Sequence, residues 1–444
     1  MTNTNSIKLF ACTVFLLSQC FLISCGSDDD TIQPDPEEPT LSGSPNIILI
    51  IADDMGLDAT NGYPEGDQKP ITPHLDSLMN NGVRFTNFWV NPTCSPTRST
   101  IITGKYGHTT NVLTASDVLS ADHQLLQSYI KAETNNEYAT AVVGKWHLAG
   151  GNSSFNPESL GIDYYAGLIS GAVNNYYSWN FTEDGSVSTE TQYITEKFTD
   201  LAKDWVGQQS QPWFLWLAYN APHSPFHLPP ANMHSQGNLP DDEASIDANT
   251  LPYYLAAIEA MDYQIGELMD ELSPEEKANT YVIFIGDNGT PGSVAQTPFR
   301  RRRAKGSIYQ GGINVPMFIT GPGVANGQQD ALINGTDLFA TIANLAGTTN
   351  ANIHDSRSFV PLLMNTGSDQ RDYIYSELRN DNLEVDWCIR NADFKLIEYA
   401  DGSQEFYHLA DDPYENSNLL TGTLSESESA AKSSLESTAS QIRQ

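Results

Sequence analysis

The chain has 444 residues, with 55 Asp and Glu against 22 Lys and Arg, a formal net charge of −33, and 20 Tyr, 17 Phe and 7 Trp. That aromatic content excludes wholesale disorder, collagen-like repeats and coiled coils, and the acidity argues against nucleic-acid binding and against adhesion to an anionic lipid surface. At roughly 100–200 residues per domain, one large unit and a smaller one are expected.

The first apolar run, Leu9–Ile23 after Lys8, is short for a membrane span and has the layout of a secretory signal. It ends Leu22-Ile23-Ser24-Cys25-Gly26, which resembles a bacterial lipobox. The resemblance implies cleavage after residue 24, a lipid on Cys25 and anchorage to the outer membrane of a Gram-negative bacterium. Ser27-Asp28-Asp29-Asp30 resembles the surface-export signal of some such lipoproteins and equally suits a solvated tether, so a surface or a periplasmic face is left open. Residues 1–24 are thus expected as signal and 25–44, rich in Pro, Glu and Ser, as linker. Cys12 and Cys20 leave with the signal, and Cys94 with Cys388 makes no disulfide framework.

Short apolar runs rich in β-branched and aromatic residues predict strands at Asn46–Ala52, Ala139–Val143, Trp213–Ala218, Tyr281–Ile285 and Pro316–Thr320. Between the first two, Thr72 and Pro73 open a helix with Leu75, Leu78 and Met79 on one face and Gly82 past its end. Further helices are predicted over Thr191–Val206 and Pro252–Leu272. Alternating strands and helices give an α/β fold with a large, mostly parallel sheet covered by helices on both faces. After about residue 345 the pattern changes. Asp393–Tyr399, Asp401-Gly402 and Glu405–Leu409 read as a hairpin, and Ser425–Gln444 as a terminal helix or tail. The expected division is 45–345 for a catalytic domain and 346–444 for a small antiparallel subdomain.

In open α/β sheets ligands gather beyond the carboxyl ends of the strands. Successive predicted strands are followed by Asp53-Asp54, by Lys145 and His147 in Gly144-Lys145-Trp146-His147-Leu148, by His223 in Asn220-Ala221-Pro222-His223, and by Asp287-Asn288-Gly289. One acidic pair is an ordinary strand-end cap. Two pairs at two strand ends make a set of hard oxygen donors suited to Ca²⁺ or Mg²⁺. Without a cation, three such carboxylates would repel and raise one another's pKa. A lone cysteine is usually a small buried hydrophobe. Cys94-Ser95-Pro96-Thr97-Arg98, read as a loop, places Arg98 near Cys94 and fits an activated thiolate or a modified nucleophile.

Cys94-x-Pro96-x-Arg98 continuing to Thr103-Gly104-Lys105-Tyr106 resembles the signature of the type I, formylglycine-dependent sulfatases of the alkaline-phosphatase-like superfamily. Gly144–Leu148, Gly286–Gly289, Lys305-Gly306-Ser307 leading into Gly311–Pro316, and Phe406–Leu409 with Asp412-Pro413 and Glu415 extend the likeness from about Pro45 to Leu420. The resemblance implies a mixed, mostly parallel sheet with a C-terminal antiparallel subdomain. It also implies a maturation enzyme that oxidises Cys94 to formylglycine (3-oxoalanine). A hydrated aldehyde carries two hydroxyls: one attacks sulfur, and the other then loses its proton and expels sulfate by C–O cleavage, which a thiol cannot do. By position, Asp53, Asp54, Asp287, Asn288 and modified Cys94 would hold one Ca²⁺. Arg98 and Lys145 would orient the nucleophile. His147 would assist deprotonation of the second hydroxyl, and His223 and Lys305 would grip sulfate and protonate the leaving oxygen.

Arg300-Arg301-Arg302-Arg303-Ala304-Lys305 concentrates five basic residues in a strongly acidic chain. Family members often carry one Arg here, and Arg302 and Arg303 are the candidates for binding a substrate carboxylate or second sulfate. The expected substrate is a sulfated, algal-type polysaccharide fragment such as ulvan or carrageenan, with Tyr164-Tyr165, Tyr176-Tyr177 and Trp179 as aromatic loops or core. The alternatives are a phosphonate monoester or phosphodiester hydrolase on the same fold, a non-catalytic glycan-binding lipoprotein, and a thiol hydrolase using unmodified Cys94.

Overall fold

The computed structural model describes residues 43–152, 154–299, 301–367 and 371–444. The signal, Cys25 and nearly all of the linker lie outside the described residues, as does Arg300. Ten strands form the main sheet. From one edge to the other they run Gly327–Gln329, Val83–Phe85, Met317–Thr320, Thr280–Gly286, Asn46–Ala52, Trp213–Ala218, Ala139–Lys145, Tyr164–Leu168, Trp179–Glu183 and Ser186–Glu190. The five strands from Thr280–Gly286 to Tyr164–Leu168 are mutually parallel. Antiparallel pairings flank them on both sides, so the sheet is mixed with a parallel centre.

Asn46–Ala52 is buried along its whole length because both of its faces are covered. Ile47, Leu49 and Ile51 join one core with Ile101, Ile102, Leu338 and Phe339 from helices on that side. Ile48, Ile50 and Ala52 join the other with Phe198, Leu201, Tyr254 and Ile258. Register then aligns the carboxyl ends. Ala52 pairs with Gly286, Ile51 with Ala218, and Ala218 with Gly144. The residues that follow these positions therefore emerge along one rim of the sheet.

The predicted strands differ from the observed ones by at most two residues at any end. Ala139–Val143 extends through Gly144 to Lys145, which close packing permits: a Cβ on Gly144 would stand 2.1 Å from the Ala218 carbonyl oxygen. The helix expected from Thr191 begins at Ile194. The Glu190 carboxylate accepts the backbone N–H groups of Thr191 and Gln192 at 2.7 and 3.0 Å, a local turn that competes with the helix. Tyr164-Tyr165 is a correction to the loop reading, since both residues lie in a central strand and Tyr165 is fully buried. Trp179 likewise lies buried in a strand.

Toward the C-terminus, Ile374–Arg379, Val385–Arg390, Phe394–Glu398 and Gln404–His408 form a four-stranded antiparallel sheet. The expected hairpin supplies its last two strands. The helix Glu426–Ile442, opened by a Ser425–Glu428 capping box, packs Leu435 and Ala439 onto this sheet beside Leu396 and Phe406. Residues 42–444 form one compact unit, and no helix among the described residues is long and apolar enough to cross a membrane.

Candidate active site

Cys94 opens a ten-residue helix, Cys94–Thr103, rather than sitting in a loop. Pro96 is tolerated because the first turn has no intrahelical use for its missing N–H. Gly104 ends the helix in the left-handed conformation at φ 65°. The N-terminus of this buried helix carries Cys94 to the rim where the parallel strands end.

Two groups of ligand atoms converge there. One oxygen or sulfur each from Asp53, Cys94 and Asp287 lie within 4.8 Å of one another, as do ligand atoms of Asp53, Asp54 and His223. Asn288 joins them through a hydrogen bond from its amide nitrogen to Asp54 Oδ1 at 2.8 Å. The Asp54 backbone N–H donates to Asp287 Oδ1 at 3.0 Å. All four oxygen-bearing residues are buried. The sequence-predicted donors thus share one pocket, with residue 94 among them.

Cations accompany each carboxylate. Arg98 donates through Nε and Nη2 to Asp287 Oδ2 at 3.1 and 2.8 Å, and through Nη1 to the Lys145 carbonyl at 2.8 Å. Lys145 Nζ donates to Asp53 Oδ2 and stands 3.6 Å from Cys94 Sγ. Lys305 Nζ lies 2.5 Å from Asp54 Oδ1, and His223 Nε2 lies 3.7 Å from Asp54 Oδ2. Arg98 and Lys145 side chains are wholly buried, whereas His223 and Lys305 remain 15% and 22% exposed. The first pair can organise the floor; the second borders solvent, where a substrate arrives.

Even with these pairings, Asp53 Oδ1 and Asn288 Oδ1 are buried without a hydrogen-bond partner. These two orphaned oxygens carry a desolvation cost that a hard cation relieves. The donor set therefore fits Ca²⁺. Burial pushes the Asp53 carboxyl up, but Lys145, His223, Arg98 and Lys305 overcome this and hold it well below the usual carboxylate range. Asp287 is pushed up to about 6 by burial and by the neighbouring Asp53, against Arg98 and Lys145. Burial pushes the Cys94 thiol up to about 11, with Lys145 opposing.

His147 sits just beyond Lys145 at φ 55°, and Asp54 has φ 74°. Left-handed backbone at non-glycine residues is strained and concentrates at functional sites. Burial first, then Lys145 and Arg98, lower the His147 imidazole to about 2, so it is neutral. Its Nδ1 has no partner. Three supporting residues were not foreseen. Ser95 Oγ donates to the His147 carbonyl at 2.7 Å. Gly171 packs against the His147 ring. The Tyr176 hydroxyl donates to the His223 and Asn220 carbonyls at 2.5 and 2.8 Å. Ser95 lay inside a recognised motif and Tyr176 among the aromatics already singled out, but the contacts of Gly171 and Tyr176 with the histidine segments join distant parts of the chain and left no mark in the sequence.

Arg303 is a correction to the substrate-binding expectation. Its Nη1 donates to the Glu415 carbonyl and its guanidinium lies 4.2 Å over the Tyr309 ring, so it ties Tyr309 to the C-terminal segment. Arg302 stands exposed. Glu415 is itself buried and pairs with Lys395 at 2.5 Å while accepting the Gln310 N–H at 2.7 Å.

The sulfatase family model matches residues 45–348, and the C-terminal model of N-sulphoglucosamine sulphohydrolase matches 302–441. The chain belongs to the sulfatase family. Its motifs and sheet are those of the type I sulfatase family of the alkaline-phosphatase-like superfamily. The ulvan-active sulfatase of Formosa agariphila is 29% identical, over 94% of this chain and 84% of that protein. The uncharacterized sulfatase YdeN of Escherichia coli is 27% identical, over 70% of this chain and 64% of that protein. The chain thus spans less than two thirds of some curated relatives. The crystal structure of Ps i-CgsB in complex with k-i-k-neocarrahexaose superposes with TM-score 0.75 at 25% identity, covering 90% of this chain and 94% of that one.

Proposed function

We propose that this sulfatase-family protein hydrolyses sulfate esters on sulfated polysaccharide fragments, through Cys94 converted to formylglycine and one Ca²⁺ held by Asp53, Asp54, Asp287, Asn288 and residue 94. The observation that carries the reading is the convergence of Asp53, Cys94 and Asp287 ligand atoms within 4.8 Å, with Asp53 Oδ1 and Asn288 Oδ1 buried and unpaired. Bound there, Ca²⁺ supplies positive charge beside the sulfuryl oxygens and favours an ionised hydroxyl. The hydrated aldehyde supplies two hydroxyls on one carbon, one to attack and one to drive release of sulfate.

This chain's own residues do the rest. Lys145, between Asp53 and residue 94, holds the nucleophilic side chain by hydrogen bonding and offsets negative charge. Arg98 fixes Asp287 bidentately and so orients a metal ligand. His147, neutral and with Nδ1 unpaired, would accept a hydrogen bond from the second hydroxyl. His223 keeps its Nδ1 proton on the Ser224 carbonyl at 2.6 Å, which leaves Nε2 facing Asp54 to meet the sulfate or its leaving oxygen. Lys305 brings a proton-bearing cation to the same mouth. A thiol raised to about 11 is protonated at neutral pH, which weighs against hydrolysis by unmodified Cys94.

The ulvan-active relative and the structural neighbour in complex with k-i-k-neocarrahexaose support an algal-type sulfated glycan. Export as a Cys25-anchored lipoprotein, maturation by a formylglycine-generating enzyme, and the 45–345 and 346–444 division belong to the same reading. The test is initial-rate hydrolysis of phenyl sulfate and of bis-phenyl phosphate by the matured protein and by Cys94→Ala. The reading requires sulfate release that Cys94→Ala abolishes; faster phosphodiester turnover would favour the phosphodiesterase alternative.

A further inference from the structure

The chain from Ser224 to Leu228, starting at the residue after His223, lines a cleft of about 730 Å³. One wall is aromatic. Tyr176, buried, stacks on His227 with ring centroids 3.7 Å apart. Tyr177 is 39% exposed, yet its hydroxyl donates to the Leu228 carbonyl at 2.8 Å, so the ring is pinned while remaining accessible. A fixed, accessible aromatic face is a platform for a sugar ring.

The opposite rim is acidic. Asp241, Glu243 and Asp247 line the cleft and are exposed. Among the described residues no Lys or Arg lines it. Its one imidazole, His227, has both nitrogens engaged, Nδ1 with the Pro225 carbonyl at 3.1 Å and Nε2 with the Tyr193 hydroxyl at 3.0 Å. Burial lowers His227 to about 4, so the wall offers no positive charge at neutral pH. His223, beside Lys305 at the mouth, directly precedes Ser224 of the cleft, and its carbonyl accepts the hydroxyl of Tyr176 in the cleft wall at 2.5 Å.

Resting on the sulfatase reading above, we propose that this cleft binds the neutral sugar next to the sulfated one and excludes a neighbour carrying a carboxylate or a second sulfate. The carboxylates accept hydroxyl protons from a neutral pyranose lying on Tyr177, and they repel an anionic one. The site thus divides labour: cations at the mouth take the scissile sulfate, and the acid-rimmed cleft selects what stands beside it. Arg301, Arg302 and Arg303 do not line this cleft.

The test keeps the scissile bond constant. Phenyl sulfate is compared with 4-sulfooxyphenyl β-D-galactoside and 4-sulfooxyphenyl β-D-glucuronide, using the matured full chain. The galactoside should exceed the glucuronide in kcat/KM by about tenfold. The triple variant D241N/E243Q/D247N should bring the two within about threefold, and Tyr177→Ala should lower the galactoside toward phenyl sulfate, with phenyl sulfate itself unchanged in both variants. Equal rates on the two sugars, or a ratio untouched by removing the charges, would overturn the proposal. If phenyl sulfate is not hydrolysed at all, the sulfatase reading fails by itself. The cleft is then judged by saturation-transfer NMR with methyl β-D-galactoside and methyl β-D-glucuronide: transfer to the first alone, lost in Tyr177→Ala, sustains it, and any other pattern ends it.

Discussion

Gly171 tests the role of His147 without altering any group that performs chemistry. A methyl added there would lie 1.9 Å from His147 Nε2, 2.2 Å from Cε1 and 2.4 Å from Cδ2. Gly171 does not occupy the left-handed region, so alanine meets no backbone penalty there. Ordinary carbon contacts begin at about 3.5 Å, so the ring must retreat by roughly 1.5 Å. Ser95 grips the His147 carbonyl and the backbone is already held at φ 55°, so the retreat falls on the imidazole. A misplacement of about 1 Å costs on the order of 10²-fold in rate, while overpacking costs about 1–3 kcal/mol of stability. Gly171→Ala should therefore lose about a hundredfold in kcat on phenyl sulfate and still melt cooperatively. On a His147→Ala background the same change should cost nothing further, because both act through one ring. If Gly171→Ala kept within threefold of the wild-type rate, the placement of His147 in the reaction would be wrong.

Arg303→Ala should remove a hydrogen bond and a cation–π contact, lowering stability by about 1–2 kcal/mol in urea melts while phenyl sulfate turnover stays within twofold; a loss confined to oligosaccharide substrates would restore its binding role. Ca²⁺ at a hundred times its Kd should stabilise the protein by about 2.7 kcal/mol, raising Tm in the wild type but not in Asp287→Asn, and an equal rise in both would remove Asp287 from the ligand set. His108 pairs with buried Glu377 at 3.0 Å, and that hydrogen bond raises its pKa above 6.5. Its contribution is complete below pH 6.5 and fades as pH rises through the raised folded value. The stability gap between wild type and His108→Gln should therefore be widest near pH 5.5 and close by pH 9, and a gap constant with pH would contradict the pairing.

The central strands were legible because strands buried on both faces are unbroken apolar runs, as Asn46–Ala52 is. Edge strands such as Ser186–Glu190 are exposed along most of their length and carry no such signal. The metal-type donors were legible because strand ends are places where charge has a reason to stand. Cys94 was misplaced in a loop since Pro96 reads as a breaker, although a first helical turn accepts it. Arg303 illustrates the opposite failure. Its partner carbonyl belongs to Glu415, 112 residues further on, and a composition argument cannot tell a guanidinium spent on folding from one kept for substrate. The cleft beside His223 was invisible for the same reason, being assembled from Tyr177, Ser224–Leu228 and Asp241–Asp247.

The most direct test is the mass and reactivity of the peptide containing Cys94, isolated from protein that releases sulfate from phenyl sulfate. The account predicts an aldehyde at residue 94 that reacts with a hydrazide and resists iodoacetamide. An active preparation in which that peptide carries only an alkylatable thiol would contradict it.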